Sequence, residues 1–449
     1  MISIAKVLSS ILIPTLVVAC SSGNEKEPSI TTTTTIVPTL TFLSTKKKDN
    51  EDLFKYLQSD YYWNKALPTS INNGVWDSMP EALEDLRAPQ DRFSFILTRQ
   101  EAKNYANSVF MGFGFSYQAT EERDGLLLRY TFDGSSAFDG GLRRGDIITH
   151  INDESVSDLI SQDKLNGIMS PNEEGYQINV RYKKPDGDIA EARIVKESRT
   201  VKTVMAKKII EAVIGGKPAK VGYLVFHSFK ERSEQELASA FEFFHEQQVD
   251  ELILDLRYNS GSRISVAQQL SSQIAGDNVE NQVFAKYVHN DNRTSWNKTK
   301  YFQSVSDDQQ LNLNKLVVLT SGRTCSASEM LINSLTPFID VTVIGERTCG
   351  KPIGMYPTEL NAWTVYAINF QAFNAVDYGD YFDGFTPDCL VNDTIPGDWG
   401  TETEALLAEG LHYLQHEHCS TSTDSLLRQY KPSKKIDFSQ GPHKMNNEI

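Results

Sequence analysis

The chain is short of positive charge. Its 449 residues carry 44 Lys and Arg against 59 Asp and Glu, a formal net charge of -15 and a pI near 5.1. Phosphate binding relies on clustered cations that release counterions, and no basic stripe is present, so a nucleic-acid partner is excluded. The triple lysine at 46–48 sits in a polar linker and reads as a solvated run. Near the N-terminus the apolar stretch Val7–Val18 is too short to span a bilayer and follows a single early lysine, Lys6, as an export signal does. There is no internal repeat. Cysteine is scarce, at five residues. Length alone allows two or three domains.

The segment Val17-Val18-Ala19-Cys20 resembles the lipobox of bacterial lipoproteins, which implies acylation at Cys20 and a signal peptide over 1–20. Ser21 in place of Asp after that cysteine implies the outer membrane, with the protein facing the periplasm. Four cysteines then remain, Cys325, Cys349, Cys389 and Cys419, an even number that an oxidising compartment allows to pair. Residues 21–48 are Ser/Thr-rich and are expected to be a flexible linker. Apolar residues at three- and four-residue spacing predict a helical subdomain over 49–106, and alternating stretches predict a β-rich domain over 107–198. That second segment resembles a PDZ domain. Gly112, Phe113, Gly114 and Phe115 match the loop whose amides hold a peptide carboxylate, and Gly134–Val156 matches the second half of the bacterial pattern. Such a domain captures a C-terminal peptide as an added strand.

From 199 to 417 strand and helix alternate, which predicts a parallel sheet covered by helices; Ser233 and Glu236 are spaced as a capping box, and 418–449 is a tail. In such sheets functional groups collect beyond the carboxyl ends of strands. Three ends carry chemistry. ELILDL leads to Gly261, whose backbone can approach an oxyanion. KLVVLT leads to SGRTCSASE, with Ser326 where a helix begins and the Ala327 amide beside it. VTVIGE leads to RTCGK and Lys351. The 25 residues from Ser326 to Lys351 are one crossover long, so both return to one sheet edge. Lysine acts as a base only when burial lowers its pKa, and Ile353 and Met355 are apolar neighbours. The same spacing makes Cys325 and Cys349 a candidate disulfide.

Together TCSASEMLINSL, VTVIGERTCGK, ELILDLRYNSG and the PDZ-like segment resemble the carboxyl-terminal processing (tail-specific) peptidases. The resemblance implies a crotonase/ClpP-like ββα, parallel-sheet-rich catalytic core with an inserted PDZ domain. It implies Ser326 as nucleophile, Lys351 as base, and Ala327 and Gly261 as oxyanion donors. The expected activity is a serine endopeptidase acting through an acyl-enzyme on polypeptides with apolar C-termini, anchored to the bilayer through Cys20. Neither metal nor organic cofactor is expected. The sequence departs from the family at Met355, where relatives often carry a glutamine that orients the lysine, at Pro337, where some carry a carboxylate, at Ser262 and at Pro352. Glu346 and Thr348 are candidate substitutes for orienting Lys351, and an inactive peptide-binding lipoprotein, acting as chaperone or adaptor, is the alternative.

Three further motifs offer other chemistry. GERTCGK fits the start of a phosphate-binding loop, but Pro352 replaces its hydroxyl residue. HYLQHEHC places His412 and His416 one helical turn apart with His418 and Cys419 beside them; without further ligands it reads as a polar helix end. His227 lacks a carboxylate partner at a fixed offset and reads as a strand residue near the cleft.

Overall fold

A computed structural model describes residues 38–72, 76–107, 109–171, 173–395, 397–401, 403–421 and 447–448. The signal peptide and Cys20 lie outside them. The chain divides into Met1–Ser44 and Thr45–Ile449; of the first unit only the opening turns of a helix are described. That helix, Pro38–Asp60, corrects the boundary of the linker, because the TKKKDNEDLFKYL run propagates helix well upstream of 49.

The helix buries Leu53, Phe54, Tyr56 and Leu57, a single stripe at i, i+1, i+3 and i+4. It packs with the Met79–Leu86 helix, whose N-terminus is capped by the Ser78 hydroxyl accepting from the Glu81 amide. The expected helical subdomain also contains a strand, Phe95–Thr98, paired antiparallel with Trp363–Tyr366. Its core is continuous with Cys325, Cys349 and Ile353 of the distant C-terminal half. The N-terminal segment is therefore a wall of the site and not a separate appendage.

Residues 115–195 form an antiparallel sheet in the spatial order Phe115–Ala119, Leu126–Thr131, Ile147–Ile151, Gln177–Lys183, Ile189–Val195. Asn447–Glu448 adds to its Phe115–Ala119 edge in parallel, so the expected tail contributes a short strand. Buried and exposed residues alternate along Gln177–Lys183, as on a sheet with one solvated face. Val109–Gly112 and Glu197–Thr200 pair with each other at the stem of this region.

Apart from the short Asn447–Glu448 pairing and an isolated bridge between Phe229 and Ser262, parallel pairing belongs to one sheet. Val204–Ile214 and Lys217–Phe226 make a hairpin, and Glu251–Asp255, Lys315–Thr320, Asp340–Gly345 and Cys389–Leu390 follow in parallel. Period two decides the layers. Leu224, Leu252, Leu254, Leu316 and Val318 face the helices Ser233–Glu246, Ile264–Ala275 and Ala327–Leu335. Tyr223, Ile253, Val317 and Leu319 face Leu406, Leu407 and Leu414 of the Ala405–His416 helix. Most other pairings in the chain are antiparallel, including a four-stranded sheet containing Ile353–Met355. The whole is a mixed α/β fold.

One expected detail fails. Ser233 does not cap its helix, because its hydroxyl donates to the Ser228 carbonyl. Glu236 instead takes the Thr203 and Val204 amides, tying the helix to the incoming strand.

Candidate active site

The Lys315–Thr320 strand ends in a turn that hands over to the Ala327–Leu335 helix at Ser326. Ser326 has φ +59° and ψ -112°, a conformation that disfavours any side chain. The surrounding polar groups hold it there. Thr324 Oγ1 donates to the Leu256 carbonyl at 2.8 Å and Ser328 Oγ to that of Asn259 at 2.9 Å. The neighbouring hydroxyls of RTCSASE thus fasten this turn to the 256–259 loop.

That loop is organised by Asn259, which is fully buried. Its Nδ2 donates to the Phe226 carbonyl at 2.8 Å, its carbonyl accepts from the Cys325 amide at 3.1 Å, and its Oδ1 accepts from the Gly261 amide at 2.9 Å. Gly261 has φ +91°, and a Cβ there would lie 2.8 Å from the Ala327 nitrogen and 2.9 Å from Ser326 Cβ. Only glycine permits this approach. The structure thus sets Gly261 against Ser326 and Ala327, with the Gly261 amide engaged by Asn259.

Glu329 joins the serine and lysine loops. It is fully buried, and one of its oxygens accepts from both the Ser326 amide at 2.9 Å and the Lys351 amide at 2.8 Å. The other accepts from Thr348 Oγ1 at 2.5 Å and the Gly350 amide at 2.7 Å. Burial nevertheless raises its pKa above the usual carboxylate value. Cys325 and Cys349 are bonded, with Cα atoms 5.2 Å apart, so a position one residue before Ser326 is tied covalently to one two residues before Lys351. Cys389 and Cys419 form a second disulfide.

Lys351 Nζ lies 5.0 Å from the centre of the Phe93 ring. Burial foremost lowers its pKa to about 8; the carboxylates of Asp91 and Glu329 oppose that shift and the Arg92 guanidinium adds to it. Asp91 is itself buried, accepting from Tyr61 Oη at 2.6 Å and from the Phe93 and Ser94 amides. Of the expected orienting groups, the Thr348 hydroxyl is engaged by Glu329, and the Glu346 carbonyl accepts from Thr320 Oγ1. Met355 packs into the apolar cluster around Ile353. After Lys351 the chain forms the strand Ile353–Met355, not the helix of a phosphate-binding loop.

His227 stands against the rings of Tyr130 and Phe132, and burial lowers its pKa to about 4. In the Gly112–Phe115 loop, Phe113 and Phe115 are buried in the core of the antiparallel sheet. Gly114, at φ +94°, packs so closely on Ser135 that a Cβ would overlap it. Gly112 and Gly114 border a cavity of about 330 Å³ with Ser135, Glu197 and Arg199.

Sequence reasoning missed Glu329, Asp91 and Asn259. Glu329 had a signal: Ser326 and Glu329 have capping-box spacing, and the carboxylate does reach back to the Ser326 amide.

The mixed α/β fold thus brings the strand-end loops of Ser326, Lys351 and Gly261 together, with a lysine of lowered basicity beside the serine turn. Residues 220–391 match the model of Peptidase family S41 and residues 48–95 that of the Peptidase S41 N-terminal domain, so these two segments carry S41 peptidase domains. Among curated proteins it is similar to a CtpA-like serine protease of Staphylococcus aureus (strain bovine RF122 / ET3-1), 24% identical over 307 residues, 68% of this chain and 56% of that protein. It is also similar to the carboxy-terminal processing protease CtpA of Bacillus subtilis (strain 168), 23% identical over 299 residues, 66% of this chain and 58% of that one. The match thus spans little more than half the length of these relatives. The crystal structure of an S41 protease from Bacteroides fragilis NCTC 9343 shares the fold, with a TM-score of 0.67 at 24% identity over 81% of this chain and 96% of that one.

Proposed function

We propose that this protein is a serine endopeptidase that cleaves polypeptides with Ser326 and Lys351. The observation that carries the reading is the single Glu329 oxygen bridging the Ser326 and Lys351 amides, beside a lysine whose pKa is lowered to about 8. In its neutral form Lys351 removes the Ser326 proton, and Oγ attacks the scissile carbonyl. The Ala327 amide, at the first helical position and without an intrahelical acceptor, stabilises the oxyanion. The Gly261 amide is the second donor, shared between Asn259 Oδ1 and the developing charge. The Lys351 ammonium then gives its proton to the leaving amine, and a water deprotonated by Lys351 hydrolyses the acyl-enzyme.

The antiparallel domain is read as a PDZ domain that recognises an apolar C-terminus. Since Phe113 and Phe115 are core residues, the loop would act through its backbone, and the substrate strand would take the Phe115–Ala119 edge by displacing Asn447–Glu448, which pairs there in this structure. A crotonase-like catalytic core and lipid anchoring through Cys20 in the periplasm-facing outer membrane belong to the same proposal; membrane partitioning that survives Cys20→Ser would remove the anchor.

The test is cleavage of an unstructured polypeptide with an apolar C-terminus by the native chain, Ser326→Ala and Lys351→Ala. Native cleavage with both variants inactive supports the dyad; variants that cleave at the native rate refute it. Binding without cleavage by the native chain would favour the adaptor reading, which Met355, placed in an apolar cluster and not on the lysine, keeps specific. Charged residues at the substrate terminus should slow cleavage; an unchanged rate removes the PDZ reading alone.

A further inference from the structure

The Cys325–Cys349 disulfide joins the two loops that peptide hydrolysis needs in register. Cys325 stands immediately before Ser326 and Cys349 two residues before Lys351, so the bond links nucleophile and base covalently. Both cysteines are buried, at 1% and 6% exposure, in the cluster that also holds Phe93 and Ile353. Cys349 Sγ lies 3.3 Å from Glu329 Oε2, the same oxygen that receives the Ser326 and Lys351 amides. A newly made chain carries thiols at both positions.

In that thiol form the dyad is displaced in two ways. Sulfurs in van der Waals contact stand about 1.5 Å further apart than bonded ones, so the two side chains must separate. Close packing leaves buried groups little free volume, and the displacement passes into the backbone of the serine and lysine loops. The Cys349 thiol also becomes a hydrogen-bond donor beside Glu329 Oε2. A carboxylate oxygen offers about two acceptor sites, and here two amides already fill them. The thiol therefore competes with the contacts that fix Ser326 and Lys351. Misplacing reacting groups by about 1 Å can cost on the order of 100-fold in rate.

Building on the roles of Ser326 and Lys351 given above, we propose that closure of the Cys325–Cys349 disulfide is the activating step of this peptidase. As the dithiol the folded chain is nearly idle, and oxidation sets the two loops in register. The oxidant is a disulfide-donating thiol compound or protein. One cysteine, as thiolate, attacks a sulfur of the donor disulfide, and the donor's other sulfur leaves as a thiol. The second cysteine then attacks the mixed disulfide. The chain has lost two electrons and two protons, and the donor has become two thiols. Burial makes the change lasting, because a reductant reaches either sulfur only by opening the cluster. A reducing compartment keeps the chain idle and an oxidising one releases it.

The second disulfide is an internal control. Cys389 and Cys419 pack in the layer of the Ala405–His416 helix, with Leu406 and Leu407, and their bond joins the Cys389–Leu390 strand to the chain beyond that helix. Its closure should leave kcat unchanged.

The test compares the full chain kept reduced from expression onward with the same chain oxidised by glutathione disulfide. Activity is read as kcat and KM on an internally quenched peptide, and the state of each cysteine by alkylation and mass mapping. Oxidation should raise kcat by about 10–100-fold with KM within about twofold, in step with the Cys325–Cys349 fraction and not with that of Cys389–Cys419. Cys389→Ala/Cys419→Ala should keep this ratio, and Cys325→Ala/Cys349→Ala should give one kcat in both states. Equal kcat in the reduced and oxidised native chain, or a ratio that survives in Cys325→Ala/Cys349→Ala, overturns the proposal. Should that variant fail to fold, the mapping decides: a rise that follows Cys389–Cys419 overturns it. Hydrogen exchange over 323–329 and 347–353 should slow on oxidation, a readout that needs no cleavage. Absence of cleavage in both states removes the peptidase reading, and loops that exchange alike in both states overturn the activation.

Discussion

Replacing Asp91 with asparagine removes a negative charge that favours the ammonium form of Lys351. Lys351 titrates near pH 8, so at pH 7 about a tenth of the molecules carry the neutral amine, against roughly one in 2,500 for an ordinary lysine. Asp91 opposes the burial that lowers this pKa, and loss of an opposite charge lowers a lysine by about one unit or more. In Asp91→Asn the midpoint should fall to about 7 and the neutral fraction at pH 7 should rise to about one half. The expected result is a roughly fivefold gain in kcat/KM at pH 7, little change above pH 9, and a slightly lower plateau because a weaker base transfers the proton less readily. The substitution also has a cost, since Asp91 accepts from Tyr61 Oη at 2.6 Å and Ser94 Oγ at 2.5 Å; about 1–3 kcal/mol of stability should be lost. The assay is the pH profile of kcat/KM from 5.5 to 9.5 on an internally quenched peptide, paralleled by the rate of Ser326 acylation by a serine-directed fluorophosphonate. A midpoint that stays put or moves upward refutes the account of how Lys351 is tuned.

His227 should make the fold acid-sensitive. Its pKa is lowered from 6.5 to about 4, so the unfolded chain binds the extra proton first; stability is full above pH 6.5 and falls by no more than about 3 kcal/mol as the pH drops to 4. His227→Phe should flatten that part of a denaturation series, and an unchanged slope would point to other groups. The buried cluster of Arg144, Arg257, Asp255 and Glu404 should be sensitive to truncation. Glu404→Ala leaves two guanidinium groups without their shared carboxylate and should cost about 3–5 kcal/mol by chemical denaturation; a loss below 1 kcal/mol would mean that water reaches the cluster.

What the sequence made legible was local. Strand-to-helix alternation located the sheet, and its carboxyl ends led to Ser326, Lys351 and Gly261, because period and turn chemistry are encoded within a dozen residues. What it hid came from afar. Asp91 and Phe93 reach Lys351 across some 260 residues of chain, because the N-terminal segment shares a core with the Ser326 and Lys351 loops. No spacing rule reports such a contact. Capping-box spacing occurs at both Ser233 and Ser326, and only burial around Glu329 shows which carboxylate turns back to its own helix start; Glu236 found the Thr203 amide instead.

The backbone at Ser326 bears on how this lineage can change over time. A serine held at φ +59° and ψ -112° is a residue kept where glycine would be more comfortable, by about 1–3 kcal/mol. As long as the hydroxyl is needed, selection resists that exchange. In a descendant relieved of catalysis, the same strain would act as a bias in one direction, since serine becomes glycine by a single codon change and the folded chain gains stability. Descendants that keep the scaffold but no longer cut should therefore accumulate glycine at this position first, and a serine retained there marks a chain still under selection to react.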